Sequence, residues 1–198
     1  GVEIVQQIAA ESGIEIDIIT GKEEAAIIYD THMKEAGLDK ATRLYVDVGG
    51  GSTELTLYAE GERILQDSFN VGTIRMMHGS VDQAVWEEMK AAVKRSVKGL
   101  KSLSVIGSGG NINKLFSISK VKNNGGLAKV ELDAFLKELS GLSVTERMHR
   151  YNLRQERAEV IVPALQIYTS ILKWAAIDSI EVPRIGLADG LIRELYYQ

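Results

Sequence analysis

The stretch Asp47-Val48-Gly49-Gly50-Gly51-Ser52-Thr53-Glu54 carries the residue types and spacing best suited to chemistry in this chain. Three successive glycines lack β-carbons, so their amides can turn inward and approach an anion closely, and the Ser52 and Thr53 hydroxyls add donors. Asp47 ends an apolar run, where a carboxylate is costly to bury without a partner such as a metal ion or an activated water. Glu54 sets a second carboxylate just past the turn. The bland alternative is a tight hairpin with a capping aspartate. Glycines alone allow both readings equally; the flanking Asp, Ser, Thr and Glu favour the anion site. The turn joins two strand patterns rather than a strand and a helix, which excludes a Walker loop and a dinucleotide fingerprint.

Gly107-Ser108-Gly109-Gly110-Asn111 is a second glycine turn, here leading from a strand pattern into a helical one. Free amides and the helix dipole attract phosphate at such a place, although a glycine turn with an Asn cap has the same composition. Two glycine turns after strands of one sheet suggest a phosphate chain or nucleotide lying across the strand ends. Val71-Gly72-Thr73-Ile74-Arg75 offers an anion contact through Arg75, or merely a turn. In Thr20-Gly21-Lys22-Glu23-Glu24-Ala25 a strand pattern meets a helical one with two acids in the first turn, and residue physics alone favours a helix cap. His32, His78 and His149 have no ligand spacing.

The elements that must position these residues follow from periodicity. Helical spacing predicts helices at 2–11, from Gly21 to about Glu35, from Trp86 to Leu100, over 111–118, around 132–139, and across an apolar stripe from Ile161 to Ala175. Pro163 implies that this last helix starts near it or bends there. A closing helix is expected from Gly186 to Tyr197. Strands are expected at 14–19, 44–48, 54–58, 63–69, 103–106 and 181–185, with a hairpin turn at 59–62 and a loop at 123–126. Ile14, Ile16 and Ile18 alternate with Glu15 and Asp17, as a half-buried strand would. Pro183 argues for a sheet edge. Strand–helix alternation with one hairpin gives an α/β fold, a mixed sheet covered by helices.

Bulk properties narrow the partners. The 198 residues suffice for a real core and for one large domain or one and a half small ones. A formal net charge of −4 gives no electrostatic case for nucleic acid or an anionic membrane. Any anionic ligand must therefore be held by local geometry. The chain has no cysteine, which excludes disulfides, thiolate catalysis and Cys-ligated zinc, and accords with a reducing cytoplasm. No apolar run approaches a membrane span. The chain opens in mid-helix at Gly1, as a segment of something longer would.

Taken in order, Ile18-Ile19-Thr20-Gly21-Lys22-Glu23-Glu24-Ala25, Val46 through Leu55, Val71 through Arg75, Gly107 through Asn111, Arg157-Ala158-Glu159-Val160-Ile161 and Asp189-Gly190-Leu191-Ile192-Arg193-Glu194 resemble the Ppx/GppA phosphatases. The resemblance spans nearly the whole chain, and the combination is specific. The DxGGGST piece alone also occurs in actin-like and heat-shock ATPases. The resemblance implies a ribonuclease-H-like fold of the actin and sugar-kinase type, with a mixed five-stranded sheet flanked by helices. It implies that residues 1–20 are the tail of a first domain otherwise absent, and 21–198 the second domain, helix-rich from 83 onward.

Further expectations come from the resemblance alone. Glu24 matches a general base for the attacking water, overriding the helix-cap reading. Asp47 and Glu54 match carboxylates that hold Mg²⁺ or orient that water. Gly49, Gly50, Gly51, Ser52 and Thr53 match one phosphate loop, and Gly107, Ser108, Gly109, Gly110 and Asn111 the loop facing the other end of the ligand. The implied activity is release of terminal phosphate from inorganic polyphosphate or guanosine pentaphosphate in the cytoplasm, with this chain alone nearly inactive. A homodimer is compatible with it. Ala188, where many members have Arg, and Glu159, where Asp is commoner, bear on substrate detail. An actin-like or chaperone-like nucleotide-binding module, or a non-catalytic half that binds guanosine tetraphosphate, stands as the alternative.

Overall fold

The computed structural model describes residues 2–18, 41–100, 102–119, 126–183 and 192. Helix α1 (Val2–Ser12) comes first, followed by strands β1 (Arg43–Val48), β2 (Thr53–Ala59) and β3 (Glu62–Phe69). Short helix α2 (Thr73–Met77) and helix α3 (Gln83–Ser96) lead to β4 (Ser104–Ser108) and α4 (Gly109–Ile118). Then come β5 (Gly126–Ala128), α5 (Lys129–Ser140), α6 (Val144–Tyr151), α7 (Gln155–Ala175) and β6 (Ser179–Glu181).

The strands form a six-stranded sheet in the order β3-β2-β1-β4-β6-β5. The β2–β3 hairpin turns at Glu60 and Gly61, whose φ of 55° and 85° match the right-handed twist of the strands it joins. β1 pairs antiparallel with β2 and parallel with β4. The sheet is mixed and helix-flanked as expected, with six strands instead of five. The extra one, β5, is three residues long and too short to leave a periodic signal.

Two further expectations are corrected and a third is narrowed. Residues 13–18 form no strand, and Ile14, Ile16 and Ile18 stand 60%, 40% and 65% exposed. Alternation gives a strand only where a neighbour receives it, and none of the described strands pairs with this segment. Of the two possibilities at Pro163, a helix start near it is excluded: α7 begins at Gln155, and Pro163 lies buried inside it. β6 is not an edge strand but sits between β4 and β5, and Pro183 falls past its end, where no ladder donor is lost. Glu24 and the rest of the 21–35 helix lie outside the described residues, as do Ala188 and the closing helix apart from Ile192.

One core unites the sheet and helices, with Leu44, Val46, Leu55, Leu57, Ile112, Ile161, Leu165 and Leu172 fully buried. α7 is its axis, touching α2, α3, α4, α5, α6 and β1. Trp86 of α3 and Trp174 of α7 meet edge to face at 5.4 Å, a geometry that aligns opposite parts of the ring quadrupoles. No helix among the described residues is long and apolar enough to cross a membrane.

Candidate phosphate-binding site

The register of β1 brings the chemistry together. Asp47 pairs with Glu54 across the antiparallel ladder and with Ser108 across the parallel one. Opposed residues share a face of a sheet, so the β1–β2 turn and the β4–α4 turn emerge side by side at the carboxyl ends of two adjacent parallel strands.

The first turn is held by its carbonyls. The Thr73 amide donates to Gly49 O at 3.0 Å, Ile74 donates to Gly50 O at 2.9 Å, and the Arg75 side chain donates through Nε to Gly51 O at 2.7 Å. The opening amides of α2, normally unsatisfied, thus cap the turn's oxygens. The fit requires Gly72, where a β-carbon would lie 2.4 Å from Gly50 O and from the Gly51 carbonyl carbon. With its carbonyls engaged on α2, the turn leaves the amides of Gly50, Gly51 and Ser52 without a hydrogen bond among the described residues. Arg75 is exposed beside them.

The carboxylates lie against this turn. Glu54 Oε1 accepts from the Ser52 hydroxyl at 2.5 Å and from Ser68 at 3.1 Å. Asp47 Oδ2 accepts from the Ser108 hydroxyl at 2.7 Å. Burial pushes the Asp47 carboxyl above its ordinary value of 3.8; the Ser108 hydrogen bond opposes this and the Glu54 charge adds to it. Two neighbouring carboxylates, each with an oxygen still open, suit a cation that takes its remaining ligands from phosphate and water. Among the described residues no group of three or more acidic or histidine side chains forms a closed metal cage.

The second turn is built from side chains. Gly109 adopts φ +88°, open to glycine, and a β-carbon there would sit 2.8 Å from Asp47 Oδ1. No side chain caps the start of α4. Asn111 lies beneath, 6% exposed, its Nδ2 donating to Val48 O at 2.9 Å and its Oδ1 accepting from Arg157 Nη1. The fully buried Tyr168 hydroxyl donates to Ser108 O at 3.2 Å. Burial foremost, then the nearby Asp47 charge, holds its pKa well above 10, so it remains a neutral donor.

Some expected ligand groups are turned away from the site. The Thr53 hydroxyl is fully buried and donates to Val71 O at 2.6 Å, pinning the turn to the link between β3 and α2. Gly107 is buried within β4, and both polar atoms of the Asn111 amide are engaged internally. Glu159 takes a hydrogen bond from Gln155 on its own helix at 2.9 Å. Sequence reasoning gave no role to Gly72, Arg157 or Tyr168. A tyrosine inside an apolar helical stripe was the available signal, since a buried hydroxyl needs a partner.

The Ppx/GppA phosphatase family profile matches residues 1–197. The chain belongs to that family. It is 28% identical over 194 residues to the guanosine-5'-triphosphate,3'-diphosphate pyrophosphatase of Aeromonas hydrophila, covering 89% of this chain and 38% of the relative. It is 24% identical over 206 residues to a Haemophilus influenzae protein with a provisional exopolyphosphatase name, covering 97% of this chain and 62% of that one. The chain therefore spans less than two thirds of the length of these relatives. A crystal structure of an exopolyphosphatase from Cytophaga hutchinsonii superposes with TM-score 0.77 at 19% identity, covering 98% of this chain and 69% of that one. The Aquifex aeolicus family member superposes with TM-score 0.72 at 18% identity, covering 99% and 69%. The mixed helix-flanked sheet is thus the actin-like fold of the Ppx/GppA proteins.

Proposed function

We propose that the protein is a phosphoanhydride hydrolase that releases terminal phosphate from inorganic polyphosphate or guanosine pentaphosphate. The observation that carries this reading is the juxtaposition of unbonded Gly50, Gly51 and Ser52 amides with the paired carboxylates of Asp47 and Glu54. The names of the relatives point to the same pair of substrates.

Cleavage of a terminal anhydride needs an in-line water, a base for its proton and positive charge around the equatorial oxygens. The three amides, and Arg75 beside them, hold the phosphoryl oxygens. Mg²⁺ is the proposed ion, carried by Asp47 and Glu54 and completed by phosphate oxygens and water; it would supply the remaining positive charge. Glu24 takes the proton as the water oxygen forms its bond to phosphorus and the bridging P–O bond breaks. The electron pair leaves with the shortened chain. A carboxylate base contributes about 10²–10⁴-fold, so positioning between the two turns supplies much of the rest.

Residues 1–20 are proposed to end a preceding domain that forms the other wall of the cleft, with 21–198 as the second domain of a cytoplasmic enzyme. Three exposed isoleucines at 14, 16 and 18 support this, since such an alternating face calls for a neighbour. The intact protein should release phosphate from at least one of the two substrates, and its Glu24→Gln variant should lose that activity. This chain alone should be nearly inactive. Robust turnover by the chain alone would refute the two-walled cleft, and full activity in Glu24→Gln would refute the base. Calorimetry with polyphosphate, guanosine pentaphosphate and ATP separates this enzyme from an actin-like nucleotide switch.

A further inference from the structure

We propose that Arg157, with Asn111 as its intermediary, is a positioning residue that sets the first glycine turn for reaction. The inference rests on the phosphohydrolase reading and deepens it. Arg157 lies in the first turn of α7, far from the β1–β2 turn in sequence, and reaches it through one side chain. Its Nη1 donates to Asn111 Oδ1, while Nη2 lies 2.9 Å from where a Gly110 β-carbon would be. A guanidinium is always a donor, so it fixes which end of the Asn111 amide is the oxygen. The nitrogen end is thereby aimed at Val48 O, the last residue of β1 before the glycines, at 2.9 Å.

The relay is directional, and its Asn111 end is buried. Asn111 is 6% exposed and its bond to Val48 O is buried, while its bond to Arg157 is part-buried. Arg157 and Tyr168 stand about three turns apart on nearly the same face of α7. From there they hold Asn111 and the Ser108 carbonyl of the same β4–α4 turn. One helix thus registers the second turn directly and the first turn through Asn111. The geometry that results is the one that sets the Asp47 and Glu54 carboxylates beside the open amides.

The test uses the intact protein with Asn111→Asp, Asn111→Leu, Arg157→Lys and the double variant Arg157→Met/Asn111→Leu. Asn111→Asp retains an acceptor for Arg157 and removes the donor to Val48. Asn111→Leu removes both bonds without adding charge near Asp47. A misplaced reacting group costs about 10²-fold, so each single variant should lose roughly that factor in kcat, with KM changing far less. Asn111→Asp keeps its pairing with Arg157 but turns a buried oxygen toward the Val48 carbonyl, so it should melt below the parent, and the kcat losses across the variants should not rank with their melting temperatures. The double variant should be no worse than the worse single one. The Val48–Ser52 amide resonances should move in every variant. Parent kcat in Asn111→Asp, or losses that merely follow melting temperature, would overturn the proposal. If the parent protein releases no phosphate, the phosphohydrolase reading fails by itself. The amide resonances then still decide the relay: unmoved in Asn111→Leu, they refute it.

Discussion

The two glycine turns have nearly the same composition and opposite construction. In the β1–β2 turn the backbone does the holding: carbonyls of Gly49, Gly50 and Gly51 are taken by α2 and by Arg75, and amides are left over. In the β4–α4 turn the holding falls to side chains. Ser108 grips Asp47, Asn111 grips Val48, and Tyr168 grips the Ser108 carbonyl. Gly107 there serves packing, since a β-carbon would lie 2.8 Å from Ile112 Cγ1 and 2.9 Å from Ile180 Cδ1. A glycine-rich turn is therefore not one device. The first is an open rim, and the second is the wall that fixes Asp47.

Substitutions can separate rim from wall. The largest effect should come from Gly72→Ala, because the new methyl meets backbone 2.4 Å away and neither chain can yield. A loss of about 3 kcal/mol is expected, the upper range for overpacking, read by thermal or urea denaturation. Little loss would mean that the rim is not clamped to α2. Gly109→Ala combines a strained φ of +88° with a clash against Asp47 Oδ1 and should cost about 2 kcal/mol. Because it moves the carboxylate, activity should fall with it. Tyr168→Phe removes one buried hydrogen bond and should cost about 1 kcal/mol.

Asp47→Asn should act in the opposite sense on stability. Burial raises the folded pKa of Asp47 above its unfolded value, so its contribution is full below pH 3.8 and declines as pH rises through the folded value. At neutral pH the ionised carboxylate destabilises the fold. Asp47→Asn should therefore melt higher than the parent at pH 7, with the gain fading toward pH 3.8, while phosphate release is abolished. A lower melting temperature at pH 7 would mean that Asp47 is a structural cap. The smallest stability effect belongs to Gly51→Ala, where a β-carbon meets nothing within 4 Å. Stability should stay within about 0.5 kcal/mol of the parent. Calorimetry should nevertheless find weaker polyphosphate binding, because the methyl stands where the proposed site receives the anion.

Both glycine turns, the 59–62 hairpin turn and most described helices were legible in the sequence, because turn chemistry and periodicity are local. The roles of individual residues inside the turns were not. Thr53 and Ser52 are adjacent hydroxyls, yet one faces Val71 inside and the other Glu54 at the surface, a choice made by strand alternation. Asn111 reads as a cap, but the parallel pairing of β1 with β4 makes it a brace for a turn 63 residues earlier. The 14–18 alternation was real but described a face without a described neighbour. Register and partnership are non-local, and composition does not carry them.

Amide resonances of the intact protein, followed during titration with tripolyphosphate and Mg²⁺, test the open rim directly. The expected result is that Gly50, Gly51 and Ser52 shift together and saturably, ahead of Gly107 within its strand. Saturating binding that leaves those three amides unmoved would contradict the account.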